Sequence, residues 1–103
     1  MAESITMARP YAQAVFELAK AKKQYQQWSQ TLADLVQLSQ QATIAALIAN
    51  VKVSKAKLAL TLRDICGAQV NEQGKNLLSL LIENGRLALL TEIAAVYELL
   101  RAD

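Results

Sequence analysis

The sequence lacks histidine altogether and contains only one cysteine, one proline and three glycines. Without histidine, the commonest general base and most zinc and di-iron ligand sets are missing. The glycines, Gly67, Gly74 and Gly85, lie too far apart for a dinucleotide-binding or phosphate-binding loop. These absences argue against catalysis, and we expect no catalytic residue, no cofactor and no metal.

The single cysteine, Cys66, excludes an internal disulfide and favours a reducing compartment. Its place in the run "LRDICG" has the spacing of a core position, so we predict a small buried hydrophobic residue rather than a nucleophile. The first ten residues have no apolar signal region, and no run approaches about 18 consecutive apolar residues. We therefore expect a protein that is neither exported nor membrane-spanning.

Length and composition predict one globular domain over residues 1–103, because 53% of the residues are hydrophobic and 19% are charged. The net charge is only +2. The densest group of cationic residues in the sequence is Lys20, Lys22 and Lys23. This group lies near a predicted helix end, where positive charge is favourable. A nucleic-acid-binding protein usually has a clustered basic face. We expect no nucleic-acid partner, although an RNA-binding or regulatory helical bundle remains the alternative function.

Hydrophobic residues recur at helical spacing throughout, which predicts an all-α, compact six-helix bundle. We predict that the first helix begins between Thr6 and Pro10, with Thr6 as the favoured cap. Proline suits a first helical turn, because the N–H that it lacks has no partner there. The other predicted helices cover about residues 24–40, 43–50, 54–67, 72–84 and 87–101.

Side chains that accept hydrogen bonds stand before three of these helices, and Thr43, Ser54 and Asn71 are the predicted caps. The pair Asn84-Gly85 predicts a left-handed end to the fifth helix. The residues expected to be buried from the second, third, fourth and sixth helices are Tyr25, Trp28, Leu32, Leu35, Val36, Ile44, Leu47, Ile48, Leu58, Leu62, Ile65, Cys66, Leu90, Ile93, Ala94, Tyr97 and Leu100.

The first and fifth helices carry more apolar surface than one buried face requires. On a helical wheel, the apolar arc spans roughly 220° in the first helix and roughly 200° in the fifth, whereas a surface helix needs a stripe somewhat over 100° wide. The residues at the margins of these arcs are Tyr11, Ala14 and Leu18 in the first helix and Asn76, Leu80 and Glu83 in the fifth.

Two interpretations of this surplus remain open on periodicity alone. In the first, Tyr11, Ala14, Leu18 and Leu80 pack against the second and sixth helices of the same domain. Alternatively, the two helices could leave an apolar groove with polar edges, in which a partner helix binds and small Ala14 permits its close approach. In that case Tyr11 would offer both ring area and a hydroxyl group.

Several stretches resemble the delta subunit of bacterial F-type ATP synthases, whose mitochondrial counterpart is the oligomycin-sensitivity-conferring protein. They are "ITMARPYAQAVFELA" near the N-terminus, Trp28, "ICG" at 65–67, "NLLSLLIENGRLALL" at 76–90 and "EIAAVYELL" at 92–100. The resemblance covers essentially the whole chain.

The resemblance implies that this chain is the N-terminal six-helix domain of a non-catalytic stator subunit. In the family, this domain binds the N-terminal helix of an α subunit in a groove between its first and fifth helices. It thereby helps to hold the catalytic hexamer stationary during proton-driven ATP synthesis. The family's groove positions match Tyr11, Ala14, Asn76 and Leu80, whereas Leu18 and Glu83 come from the wheels alone.

The resemblance further implies a C-terminal part, absent from these residues, that contacts the peripheral stalk of b subunits. The expected location is peripheral, on the cytoplasmic face of the bacterial inner membrane, without direct membrane insertion. We expect the isolated domain to be monomeric. Trp28 matches a tryptophan that we expect to be a packing residue rather than a contact.

Overall fold

The computed structural model describes residues 2–102, and this range contains six α-helices, two 3-10 turns and no strand. The predicted all-α class is therefore confirmed. The helices are α1 (Ala2–Lys22), α2 (Tyr25–Gln40), α3 (Ala42–Ala49), α4 (Lys55–Cys66), α5 (Glu72–Glu83) and α6 (Leu90–Ala102), with 3-10 turns at Gly67–Gln69 and Leu87–Leu89.

The first helix is longer at its N-terminus than the sequence predicted. It begins at Ala2, so Thr6 is not its cap and Pro10 lies inside the helix rather than in its first turn. A proline inside a helix removes one backbone hydrogen bond and costs about 3 kcal/mol. Pro10 is exposed, so its ring does not interrupt the packing of the buried face.

Tertiary packing keeps α1 helical across Pro10. The buried stripe of α1 lies mainly after the proline and reaches the turn of helix N-terminal to it at Ala8, and α1 packs mainly against α6. Tertiary burial of such a stripe outweighs a local propensity penalty. The buried residues of the stripe are Ala8, Ala12, Val15 and Ala19.

Side-chain caps form at two of the three predicted positions. The Ser54 Oγ accepts a hydrogen bond from the Lys57 N–H at 3.1 Å, and the Asn71 Oδ1 accepts one from the Gly74 N–H at 2.8 Å. The prediction for Thr43 is wrong, because α3 begins one residue earlier, at Ala42, after an extended Gln41.

Residues with a positive φ follow three of the helices, and Gly67, with a φ of +53°, follows α4. Gly85, with a φ of +68°, follows α5 as predicted. Lys23 takes the same conformation after α1, with a φ of +55°, and the next residue, Gln24, donates its N–H to the Ala19 carbonyl at 2.8 Å. Lys20 and Lys22 therefore lie in the last turn of α1, as expected.

An aromatic cluster joins α1, α2 and α6. Phe16 lies 5.6 Å from Tyr25 and 6.3 Å from Tyr97 between ring centroids. Tyr97 is fully buried and donates its hydroxyl proton to the Tyr25 carbonyl at 2.8 Å. This cluster fixes α1 against its neighbours on the side that includes Phe16.

The end of α4 is less buried than its periodicity predicted. Cys66 is buried as expected, but Ile65 is 47% exposed. Adjacent helical residues point about 100° apart, and on α4 this rotation places Ile65 on the side that faces solvent. The prediction of a buried Ile65 is therefore wrong.

Burial of Cys66 makes the stability of the domain sensitive to alkaline pH. Desolvation raises the pKa of the Cys66 thiol above its ordinary value of 9.0, although nearby Lys75 and Arg63 oppose the shift. Above pH 9 the unfolded chain then releases a proton that the folded domain retains, so the free energy of unfolding falls as the pH rises. Urea denaturation of wild type and Cys66→Ala between pH 7 and 10.5 should show a smaller decline for the variant. Parallel declines would contradict this assignment.

The α2–α5 contact requires a glycine at its closest point. A Cβ built on Gly74 would stand 2.6 Å from the Thr31 Cγ2 and 2.6 Å from the Val70 Cγ1. Both neighbours are β-branched and rotate little, so they cannot easily move aside. Gly74 thus lets α5 lie close to α2.

We expect Gly74→Ala to destabilise the domain by about 1–3 kcal/mol, because the methyl group overpacks this contact. In an unconstrained helix the same change would stabilise by roughly 1 kcal/mol. Urea denaturation monitored by circular dichroism measures the difference. A more stable variant would show that α2 and α5 can separate freely at this point.

No single helix within residues 2–102 has the length and apolar content to cross a membrane. The consecutive helices α2 and α3 would meet that requirement together, but they bend by 77° at their junction.

Candidate functional site: the α1/α5 groove

An open apolar cavity of about 340 Å³ lies between α1 and α5. Helix α2 contacts both of them, while α1 packs mainly on α6 and α5 mainly on α4. The two flanking helices are therefore held apart, and α2 supplies the floor. We call this cavity the α1/α5 groove; its lining residues are Tyr11, Ala14, Val15, Leu18, Trp28, Gln73, Asn76, Leu77 and Leu80.

The groove leaves large apolar side chains uncovered. Leu18 is 46% exposed and Leu80 is 45% exposed. Ala14, which lies on the groove side of α1, is also exposed. The interpretation in which these residues pack inside the domain is therefore wrong for all three. Apolar surface concentrated in a concave site is a common mark of a binding surface.

Five of the six predicted site residues line this groove, and one does not. Tyr11, Ala14, Leu18, Asn76 and Leu80 come together there. Glu83 instead faces a separate cavity beside α4, where the Lys55 ammonium donates to its backbone carbonyl at 3.1 Å. Glu83 is the last residue of α5 and lies at the edge of the helix that includes Ser79, which lines the same cavity beside α4.

The floor of the groove contains a residue that the sequence assigned to packing. Trp28 is only 3% exposed, as expected for a packing residue, yet its ring also lines the groove. Its Nε1–H is buried and finds no acceptor within residues 2–102. Buried N–H groups are nearly always hydrogen-bonded, so this one is unusual.

A hydrogen bond joins the two sides of the groove. The Asn84 side-chain amide, at the end of α5, donates to the Tyr11 hydroxyl oxygen on α1 at 2.9 Å. The Asn84-Gly85 turn therefore serves a second purpose beyond ending the helix. Sequence reasoning identified both residues but could not pair them, since they are 73 positions apart.

A network on the α4 side fixes the Asn76 side chain. The Arg63 guanidinium of α4 donates to the Asn76 Oδ1 at 3.4 Å and to the Ser79 Oγ at 3.1 Å, and it forms an ion pair with Glu72. An exposed ion pair of this kind adds little stability. Its consequence here is the orientation of the Asn76 amide at the edge of the groove.

The groove is lined by apolar and uncharged polar side chains. Within residues 2–102, no three histidine, cysteine or acidic side chains cluster closely enough to hold a metal ion. The groove lining contains no acidic or basic side chain among the described residues. What the site offers is apolar area with a few polar groups at its edges.

The fold and the groove together define a class: a six-helix domain with an open apolar cleft between its first and fifth helices. The sequence profile of the family described as ATP synthase delta (OSCP) subunit matches residues 7–103. This chain belongs to that family.

Curated relatives agree over the full chain. ATP synthase subunit delta of Alkalilimnicola ehrlichii is 49% identical over 104 residues, that of Methylobacillus flagellatus 47% over 103 residues, and that of Nitrosomonas eutropha 45% over 103 residues. Each alignment covers 100% of this chain and 58% of the relative. The chain thus spans somewhat over half the length of these proteins.

Proposed function

We propose that this domain is a non-catalytic stator element of a rotary ATP synthase. In this proposal the α1/α5 groove binds the amphipathic N-terminal helix of an α subunit. A C-terminal part connects the domain to the peripheral stalk of b subunits, and the assembly lies on the cytoplasmic face of the membrane. The catalytic hexamer is thereby held against the torque of the rotor.

One observation carries the proposal: the half-exposed Leu18 and Leu80 face a preformed groove whose lining includes small Ala14. Helix-in-groove recognition needs an apolar floor, polar edges and a close backbone approach. Family membership agrees with such an assembly role. A preformed groove also avoids the ordering cost that would weaken binding.

A stator contact must stay bound through many rotations under load. A dissociation constant near nanomolar corresponds to about −12 kcal/mol and is compatible with slow dissociation. A helix of about 20 residues could reach this value on an interface of roughly standard size. We therefore expect tight binding by a short segment.

Titration with a synthetic peptide of the α-subunit N-terminus tests the proposal. Trp28 is the only tryptophan and lines the groove, so its fluorescence reports occupancy of this site. We expect a saturable change with a dissociation constant well below 1 μM (about −8.2 kcal/mol at that value). No saturation at tens of micromolar would contradict the proposal.

A further inference from the structure

Three polar groups that line the α1/α5 groove have hydrogen-bond donors with no acceptor within residues 2–102. The first is the Trp28 indole N–H, which can only donate. It is buried at the floor and unpartnered within residues 2–102. Because the nitrogen has essentially no exposed surface, a ligand reaches this N–H only when the groove floor adjusts, whereas the next two donors lie at the edges of the groove.

The second donor is the side-chain amide of Asn76. A guanidinium group has only donors, so the Asn76 atom that faces Arg63 must be the oxygen, as observed at 3.4 Å. The amide nitrogen, with its two N–H bonds, is thereby turned away from Arg63. It has no acceptor among the side chains and backbone that the structure describes.

The third donor is the Tyr11 hydroxyl. Its oxygen already accepts a hydrogen bond from the Asn84 amide at 2.9 Å. A hydroxyl that accepts one bond still has its own proton to donate. Asn84 thus occupies the acceptor side of Tyr11 and leaves the donor side for a ligand.

We infer that the α1/α5 groove selects a helix with hydrogen-bond acceptors, above all carboxylate side chains, along the margin of its apolar face. This inference rests on the proposed function and adds the polar chemistry of the partner. An ionised carboxylate only accepts, and its hydrogen bonds are stronger than those of neutral acceptors. A lysine placed beside Tyr11 and Asn76 would meet their donor sides, and the Gln73 amide oxygen is the acceptor that the groove lining offers it.

In this account Arg63 and Asn84 are positioning residues. Neither lines the groove, yet each fixes the hydrogen-bonding direction of a residue that does. The groove therefore distinguishes ligands by the polarity of their margins as well as by the shape of their apolar face.

The test replaces the donor of Asn76 and keeps its shape. In Asn76→Asp, a carboxylate still accepts from Arg63, so the fold and the network are retained, but the group at the groove edge becomes an acceptor. We expect the affinity for the α-subunit peptide to fall at least tenfold, measured by Trp28 fluorescence. The matched control is Gln13→Asp, an exposed position of α1 outside the groove, which should change affinity less than twofold.

A charge-reversed peptide adds a second readout. Replacing a carboxylate residue at the margin of the peptide's apolar face by lysine should weaken binding to wild type and restore part of the affinity for Asn76→Asp. Equal affinity of wild type and Asn76→Asp would overturn the inference. So would an equal loss in Asn76→Asp and Gln13→Asp, which would reflect added negative charge alone.

These results test the donor selectivity separately from the proposed function on which it rests. If wild type binds the peptide and Asn76→Asp binds equally well, the groove function stands and the donor selectivity is wrong. If wild type fails to bind, the proposed function fails, and the donor selectivity fails with it. Unfolding by urea verifies that each variant is folded.

Discussion

Replacing Ala14 by aspartate is expected to weaken binding of the α-subunit peptide at least about 100-fold, or roughly 2.7 kcal/mol. Ala14 is exposed and lines the α1/α5 groove. A bound helix would cover the new carboxylate with its own apolar face, and removing that charge from water is costly. Its added volume would also prevent the close approach that a methyl group permits. Fluorescence titration of Trp28 measures the loss.

The folded domain should tolerate this change, because position 14 is solvent-exposed in the absence of a ligand. Its free energy of unfolding should change by less than about 1 kcal/mol. Gln13→Asp introduces the same charge next to it and outside the groove, and should bind normally. If Ala14→Asp loses helicity together with binding, then Ala14 is part of the core instead.

Truncating Tyr97 to alanine is expected to cause a large loss of stability, whereas Ala14→Asp should weaken binding and leave stability nearly unchanged. Tyr97 is fully buried, packs edge-on against Phe16 and donates to the Tyr25 carbonyl. Removing a buried aromatic ring costs about 3–5 kcal/mol. This is a large part of the 5–15 kcal/mol that stabilises a typical domain. Urea denaturation followed by circular dichroism measures the change.

Tyr97→Phe separates the hydroxyl from the ring. It keeps the packing and removes one hydrogen bond, so we expect a loss of about 1 kcal/mol. Peptide affinity of the folded fraction should remain unchanged, since Tyr97 does not line the groove. A Tyr97→Ala domain as stable as wild type would contradict the role assigned to the aromatic cluster.

The helices could be predicted from the sequence because their signals are local. Ser54 and Asn71 cap helices with their own side chains, and Gly85 adopts the left-handed conformation that a helix end favours. The start of α1 could not be predicted in this way. Its extension past Pro10 depends on burial against α6, which no local pattern reveals.

For the candidate site, too, local sequence patterns predicted some features and missed those that depend on tertiary contacts. An excess of apolar surface on two helices singled out Leu18 and Leu80, but it did not decide whether they pack inside the domain or remain exposed, as they do in the structure. The wheels also included Glu83, which faces away, because a wheel gives the angle of a residue but no neighbour to compare it with. The periodicity alone left open whether a groove exists.

The polar groups of the groove required the structure. Arg63 reaches Asn76 from another helix, and Asn84 reaches Tyr11 across 73 residues. Trp28 was expected to pack, and it does, but only its position between α1 and α5 reveals the unpartnered N–H. Contacts between distant parts of the chain carry this information.

The most direct test of the central claim is a nuclear magnetic resonance titration of the ¹⁵N-labelled domain with the α-subunit peptide. We expect the largest amide shifts on α1 around Ala14 and Leu18 and on α5 around Asn76 and Leu80, together with the Trp28 indole N–H. Shifts centred instead on the separate cavity lined by Ile48, Val53 and Leu87, with α1 and α5 unaffected, would contradict it.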